Sequence, residues 1–219
     1  MQSDNLAAGG AAAAPEAVDP AALFKLSYGL YVLTTRDGGK DNGCIINTAV
    51  QVADNPKTIS IATNKANFSC DIVAKTGVFN VNTLSVKAPF SLFQQFGFQS
   101  GRNVDKFSGV SYSDRSANGI RFLPEFANGV ISGKVKESFD LGSHMLYIAD
   151  VTQAFVLSGD LSVTYQYYFD HIKPKPQPQA EKKTGYVCKI CGYVYEGDPL
   201  PADYICPICK HGASDFEKL

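Results

Sequence analysis

Tyr186-Val-Cys-Lys-Ile-Cys-Gly-Tyr-Val-Tyr195 and Asp203-Tyr-Ile-Cys-Pro-Ile-Cys209 set the C-terminal end of this 219-residue chain apart from everything before it. Within them, Cys188-Lys-Ile-Cys191 and Cys206-Pro-Ile-Cys209 are two CxxC turns with 14 residues between them. Two such turns place four soft thiolates where one tetrahedral ion can take all of them. Paired disulfides are the competing reading, and they require an oxidising compartment. A tetrahedron of four sulfurs suits iron or zinc. Either way every ligand position is filled by protein, so the site has no place for a substrate and, with iron, can only store or pass an electron.

Upstream of the cysteines, Lys173-Pro-Lys-Pro-Gln-Pro-Gln-Ala-Glu-Lys-Lys183 alternates proline with polar residues and has no large apolar side chain. Such a run favours extended polyproline II, at about 3.1 Å per residue, over any packed element. A linker is expected over 173–184, with a small domain at 185–219 and a larger one at 20–172. Residues 1–18 are rich in Ala and Gly, lack Lys and Arg, carry Asp4 and Glu16, and include Pro15. Residues 1–19 are expected to form a disordered extension and not an export signal, which favours a cytoplasmic protein with reduced thiols and a metal over disulfides.

The larger part is β-rich. Runs 30–35, 44–52, 58–63, 78–82, 130–138 and 144–156 concentrate β-branched and aromatic residues, and Arg36–Gly43 and Asp54-Asn-Pro56 supply turn chemistry between them. Many strands with few helices imply a barrel or sandwich. Two amphipathic helices are expected to cover it. One is capped by Asn67 or Ser69, buries Phe68, Ile72 and Val73, and ends at Gly77. The other starts near Pro89 and presents Leu92, Phe93 and Phe96.

A net charge of −1 provides no basic field for nucleic acid, and no stretch of about 18 apolar residues is present to span a membrane. No GxGxxG follows a strand, so a dinucleotide fingerprint is absent. Two segments have phosphate chemistry. Thr63-Asn-Lys-Ala-Asn-Phe-Ser69 ends a strand and opens a helix, and Ser100-Gly-Arg-Asn-Val-Asp-Lys-Phe107 sets Arg102 and Lys106 beside a glycine. From the residues alone, the first is more often just a capped helix and the second more often a solvated loop. Cys44 and Cys70 lack a partner pattern and read as packed thiols.

The cysteine segments resemble rubredoxin over Gly185–Leu219, with aromatics around the site and a final Asp215-Phe-Glu217. They depart from full-length rubredoxins in a shorter loop between the knuckles, in Tyr204 where Trp is usual, and in Lys210 where Gly is usual. These departures match the shortened domains of rubrerythrins and fused flavoproteins, and the resemblance favours iron over zinc. Gly192, after the second cysteine, is expected at positive φ with its N–H pointing at sulfur.

Leu23–Thr35, Asn47–Pro56, Phe96–Phe107 and Gly142–Val151 resemble the flavin reductase-like, FMN-binding split-barrel family over about residues 20–172, and within it the high-molecular-weight rubredoxin type, where Tyr165-x-x-Tyr168 also recurs. The resemblance implies a mainly β fold: a split β-barrel with a few covering helices, plus the small four-cysteine metal domain. It implies that Asn47, Thr48 and Ala49 line the isoalloxazine with Gln51 nearby. It further implies that Thr63, Asn64, Lys65, Asn67 and Ser69 hold ribityl and phosphate, and that Ser100, Gly101 and Arg102, with Lys106, close the phosphate side. His144 falls where many of these reductases carry a Gly-Asp-His element near the nicotinamide, but Ser143 stands in place of the acid; read from the residues alone, His144 is equally a strand-start histidine.

A homodimer follows from the same resemblance. So does a function: electrons pass from NAD(P)H through FMN to a four-cysteine iron centre and on to a redox partner protein such as a flavodiiron oxygen or nitric oxide reductase. An NAD(P)H:flavin reductase that releases reduced FMN, with a structural zinc ribbon attached, is the alternative.

Overall fold

The computed structural model describes residues 18–23, 25–175 and 185–219. Residues 1–17 of the expected extension and 176–184 of the expected linker lie outside the described residues. Among the described residues, no helix is long and apolar enough to cross a membrane.

Seven antiparallel strands form one sheet: β1 (Tyr31–Asp37), β2 (Lys40–Ile46), β3 (Ala49–Asp54), β4 (Lys57–Asn64), β5 (Val78–Leu84), β8 (Ala127–Asp140) and β9 (His144–Val156). Two-residue strands β6 (Asp114–Arg115) and β7 (Arg121–Phe122) pair separately, and a short helix, α1 (Pro20–Leu23), precedes β1. The order across the large sheet is β2-β1-β5-β8-β9-β4-β3, so β2 and β3 are its two edges. They are also consecutive in sequence. In a flat sheet the edges would lie six strand spacings apart, about 29 Å. The two residues joining Ile46 to Ala49 can span only about 11 Å. The sheet therefore curls until its edges meet, and the result is a split barrel whose seam is Asn47-Thr48.

The seam corrects one expectation. The run 44–52 looks like a single strand because its apolar character is nearly continuous. The structure divides it because β2 pairs with β1 while β3 pairs with β4. Thr48 secures the crossing: its backbone carbonyl accepts from Ala62 N (3.2 Å) and its hydroxyl donates to the Ala62 carbonyl (2.9 Å). The turn expected over 36–43 is also shorter than foreseen, since β1 and β2 pair as far as Asp37 and Lys40.

Two apolar clusters result. Inside the barrel, Leu33, Ile61, Phe79, Val81 and Tyr147 pack under α2 (Phe68–Thr76), which adds Cys70 and Val73. On the opposite face of β1 and β5, Val32 and Leu84 meet Leu92, Phe93 and Phe96 of α3 (Phe90–Gly97), together with Phe107, Leu123 and Tyr168. Helix α2 starts after Asn67, whose side chain makes no capping bond, and Ser69 is buried inside its first turn. Gly77 ends it at φ +68°, where a side chain would be strained.

The chain leaves the barrel through α4 (Tyr165–Tyr167) and a π-helical turn, Tyr168–Ile172. The small domain is a three-stranded sheet of β11 (Val194–Tyr195), β10 (Tyr186–Cys188) and β12 (Phe216–Lys218).

Candidate flavin and metal sites

The two segments with phosphate chemistry meet in space, and Asn42 joins them. Its side-chain amide donates to Ser69 Oγ in the first turn of α2 (2.9 Å). Gly101 presses on its other end: a Cβ at 101 would lie 1.9 Å from Asn42 Oδ1. Lys40 donates to the Gly101 carbonyl (2.8 Å), and Arg102 pairs with Asp71 (2.6 Å). Both cations stand about 5.1 Å from the centre of the Phe68 ring. Loop 100–102 is thus fastened to the start of α2. Asn42, Lys40 and Phe68 were not among the expected site residues, because Lys40 and Asn42 fall in a stretch whose Gly, Asp and Asn content signals a turn.

The barrel strands bring the other expected residues alongside. Thr48 meets Ala62 as described, next to Thr63 in β4. Ala49 pairs with Ile61, and Asn64 lies opposite His144 at the start of β9. His144 Nδ1 shares a hydrogen bond with Ser143 Oγ (2.9 Å). Lys65 is tied to the same end by its N–H to the Ser143 carbonyl (3.0 Å) and its ammonium to Asp140 (2.6 Å). Asn67 is half-buried where the chain enters α2, and Ser100 Oγ accepts from Arg102 N (3.3 Å). Gln51 is exposed on β3 and bonds only locally, to Ala53 O (3.2 Å).

Lys106 stands apart from this group. It is 4% exposed, and its amine donates to the carbonyls of Gly43 and Phe96, each at 2.9 Å. Burial pushes its pKa down to about 8. In this arrangement Lys106 ties the end of α3 to β2.

A flavin fits the remaining set on two observations. Thr63 Oγ1 is buried and has no hydrogen-bond partner, a polar atom that a bound group would satisfy, while Asn42 Oδ1, likewise unpartnered, is covered by Gly101. Lys65 and Arg102, both exposed, flank the start of α2 with positive charge. Asn47, Thr48 and Ala49 line the seam, and Thr63 to Ser69 with Ser100 to Arg102 form the polar side. Cys44 and Cys70 are buried, and Cys70 Sγ lies 3.5 Å from the Tyr147 hydroxyl, which accords with packed thiols.

The four sulfurs of Cys188, Cys191, Cys206 and Cys209 lie within 4.8 Å of one another. Cys188–Cys209 and Cys191–Cys206 are each 3.5 Å apart, far beyond a bond of about 2.05 Å. Ligand bonds of about 2.3 Å imply a tetrahedron edge of about 3.8 Å, which these separations match. The two knuckles are built alike: Cys188 N donates to Tyr193 O and Cys206 N to His211 O, each at 2.8 Å.

Gly192 has the expected positive φ (+79°), but its N–H donates to the Cys188 carbonyl (2.8 Å) and not to sulfur. The donors to Cys188 Sγ are the backbone N–H groups of Ile190 and Cys191, and Tyr193 N–H serves Cys191 Sγ. Lys210, in place of the usual Gly, takes the same left-handed conformation (φ +63°) and closes the second knuckle onto Cys206 O (3.0 Å). Among free thiols, burial pushes Cys188 up, and the Cys209 sulfur together with burial pushes Cys191 up. A bound cation reverses that preference and holds the thiolates. Tyr204 replaces the usual Trp within an aromatic layer, 4.6 Å from Tyr195 and 5.4 Å from Phe216 between ring centres.

The metal knuckle touches the barrel. Lys173 caps the π-helical turn, and its amine donates to the carbonyls of Lys189 and Ile190, each at 3.1 Å. Burial lowers the Lys173 pKa while the nearby cysteine sulfurs raise it. The Tyr168 hydroxyl, pushed up to about 12 by burial, also feels Cys191.

Comparison with known proteins finds a family match in each part of the chain. The model of the flavin reductase like domain matches residues 23–175, and that of the rubrerythrin, rubredoxin-like domain matches residues 186–217. The high molecular weight rubredoxin of Moorella thermoacetica is 34% identical over 92% of this chain and 100% of its own length. The ferric-chelate reductase (NAD(P)H) of Archaeoglobus fulgidus is 33% identical over 69% of this chain and 89% of its own. Among solved structures, the NADH:FAD oxidoreductase of Streptomyces globisporus C-1027 superposes with a TM-score of 0.61 at 18% identity, covering 68% of this chain and 92% of that one. A split barrel with polar residues gathered at the start of α2, followed by a four-cysteine knuckle pair, accords with these matches, and this chain belongs to the flavin reductase-like family, with a rubredoxin-like domain at its C-terminal end.

Proposed function

We propose that this protein is an electron-transfer oxidoreductase that takes reducing equivalents from NAD(P)H at an FMN-binding barrel and passes them one at a time to an iron ion held by Cys188, Cys191, Cys206 and Cys209. The observation that carries this reading is the contact of Lys173 with Lys189 and Ile190, which sets a closed four-sulfur centre against a flavin reductase-like barrel. A site with no open ligand position has electron storage as its available chemistry. Bound FMN supplies the conversion of a two-electron hydride into single electrons.

The residues of the chain position and exclude. Asn47, Thr48 and Ala49 at the seam flank the ring system, with Gln51 nearby. Thr63, Asn64, Lys65, Asn67, Ser69, Ser100, Gly101 and Arg102 hold ribityl and phosphate, and Asn42 braces them by bonding Ser69 and packing against Gly101. Lys106 supports the site from behind by fixing β2 against α3. His144 lies beside Asn64 on the side proposed for the nicotinamide.

Exposed Val50 and Val52 on edge strand β3, with Phe139 and Leu141 near the β8–β9 turn, present apolar surface suited to a second copy, which supports a homodimer. The small domain, with three lysines against five carboxylates, offers a mildly acidic face for a downstream acceptor. We infer a partner of the flavodiiron type and a cytoplasmic setting, which accords with six unpaired cysteines.

An anaerobic stopped-flow titration with NADH, recording flavin and ferric-thiolate absorption together, tests the reading. Bleaching of the iron band through the flavin is expected. A zinc-loaded site with only the flavin responding would replace it with a flavin reductase carrying a structural zinc ribbon.

A further inference from the structure

Lys173 belongs to neither site as expected from the sequence, yet it is placed where it influences the metal centre. Its backbone N–H closes the π-helical turn on the Tyr168 carbonyl (2.8 Å), and its amine stands 4.9 Å from the centre of the Phe169 ring. The ammonium is thereby held by the barrel on one side and by the Lys189 and Ile190 carbonyls on the other.

Those two carbonyls are not arbitrary acceptors. The Lys189 carbonyl and the Ile190 N–H belong to one peptide unit, and the Ile190 carbonyl and the Cys191 N–H to the next. Both of these N–H groups point at Cys188 Sγ. Two parallel chains therefore run from ammonium to carbonyl, through the peptide, to N–H and sulfur. Chains of hydrogen bonds polarise one another, so a cation at the carbonyl end strengthens the donors at the sulfur end. Stronger donors to sulfur favour the more negative oxidation state of the centre. Four thiolates with a ferric ion carry a net −1; one added electron makes this −2 with no proton or ligand transferred.

We propose that Lys173 is a positioning residue that seats the first knuckle on the barrel and, through the peptide units 189–190 and 190–191, raises the electron affinity of the metal centre. The electron comes from the reduced flavin of the same chain, so the proposal rests on the electron-transfer reading above. It adds a residue outside the cysteine motif that sets where the electron settles.

The test is an anaerobic spectroelectrochemical titration of the ferric-thiolate band in the full-length protein and in Lys173→Met, Lys173→Arg and Lys175→Met. At a fixed applied potential, Lys173→Met is expected to lower the ferrous-to-ferric ratio several-fold, where tenfold is about 59 mV for a one-electron couple. Lys173→Arg should retain most of the parent ratio, and Lys175→Met, which removes an exposed charge two residues away, should leave it unchanged. A parent-like titration of Lys173→Met, or an equal shift in Lys175→Met, overturns the proposal. Metal analysis separates this from the wider reading, because a protein that purifies with zinc and no iron overturns electron transfer itself.

Discussion

Gly101 lies so close to Asn42 that any side chain at 101 would collide with Asn42 Oδ1. Asn42 cannot yield freely, because its amide is already held by Ser69. Gly101→Ala is therefore expected to push loop 100–102 off the start of α2. Overpacking of this kind costs about 1–3 kcal/mol, which corresponds to roughly a 5- to 150-fold loss of affinity if it falls on the flavin site. The flavin-to-protein ratio after gel filtration, followed by titration with FMN, measures it.

Lys106 makes stability depend on alkaline pH. Its folded pKa of about 8 lies below the value of about 10.4 for an unfolded chain. Below pH 8 the folded state must keep a buried ammonium. Between 8 and 10.4 the unfolded state binds more protons, so stability rises with pH, by up to about 3 kcal/mol. Denaturant unfolding at pH 7, 8, 9 and 10 should show that rise, and Lys106→Met should abolish it.

Asp41 makes the opposite statement at acid pH. Burial alone would raise its carboxyl, but hydrogen bonds from Arg115 and Arg121 hold it below the usual carboxylate range. Its side chain is only 9% exposed and meets Arg115 at 2.7 Å and Arg121 at 3.0 Å. The stabilisation is present above about pH 4 and is lost as pH falls through the depressed folded value. With the arginines partly solvated, Asp41→Asn is expected to cost about 1–3 kcal/mol at pH 7 and to flatten the acid limb of the stability profile.

Metal removal should separate the two domains thermally. Only Cys188, Cys206 and Phe216 are buried in the small domain's apolar cluster, too little for an independent core. Cys206→Ser, or acid treatment that protonates the thiolates, is expected to melt 185–219 while the barrel transition stays in place. Calorimetry with the visible absorption band reports both events.

Much of this arrangement is legible in the residues because it rests on local chemistry. CxxC spacing, the glycine at 192 and the apolar stripes of α2 and α3 each act within a few positions. What escapes is set by pairing over distance. The division of 44–52 into two strands depends on β4 lying beside β3, which no property of Asn47 or Thr48 announces. Asn42 and Lys40 escape for a similar reason: their turn-forming character is real, but β1 draws them into a strand. Lys106 has the appearance of an exposed phosphate ligand until the barrel closes over it. Lys210 departs from the rubredoxin pattern in side chain but not in backbone, since the knuckle holds it left-handed at a cost of about 1–2 kcal/mol.

The bond from Lys173 to the knuckle has a kinetic meaning as well. A separate electron carrier must find its reductase by diffusion, and the rate of reduction then falls on dilution. Here the two centres travel on one polypeptide, so each sees the other at an effective concentration on the order of millimolar whatever the bulk value. Reduction of the cysteine-bound metal should accordingly be first order and indifferent to protein concentration. Only the hand-off to the next carrier would depend on how much of that carrier is present.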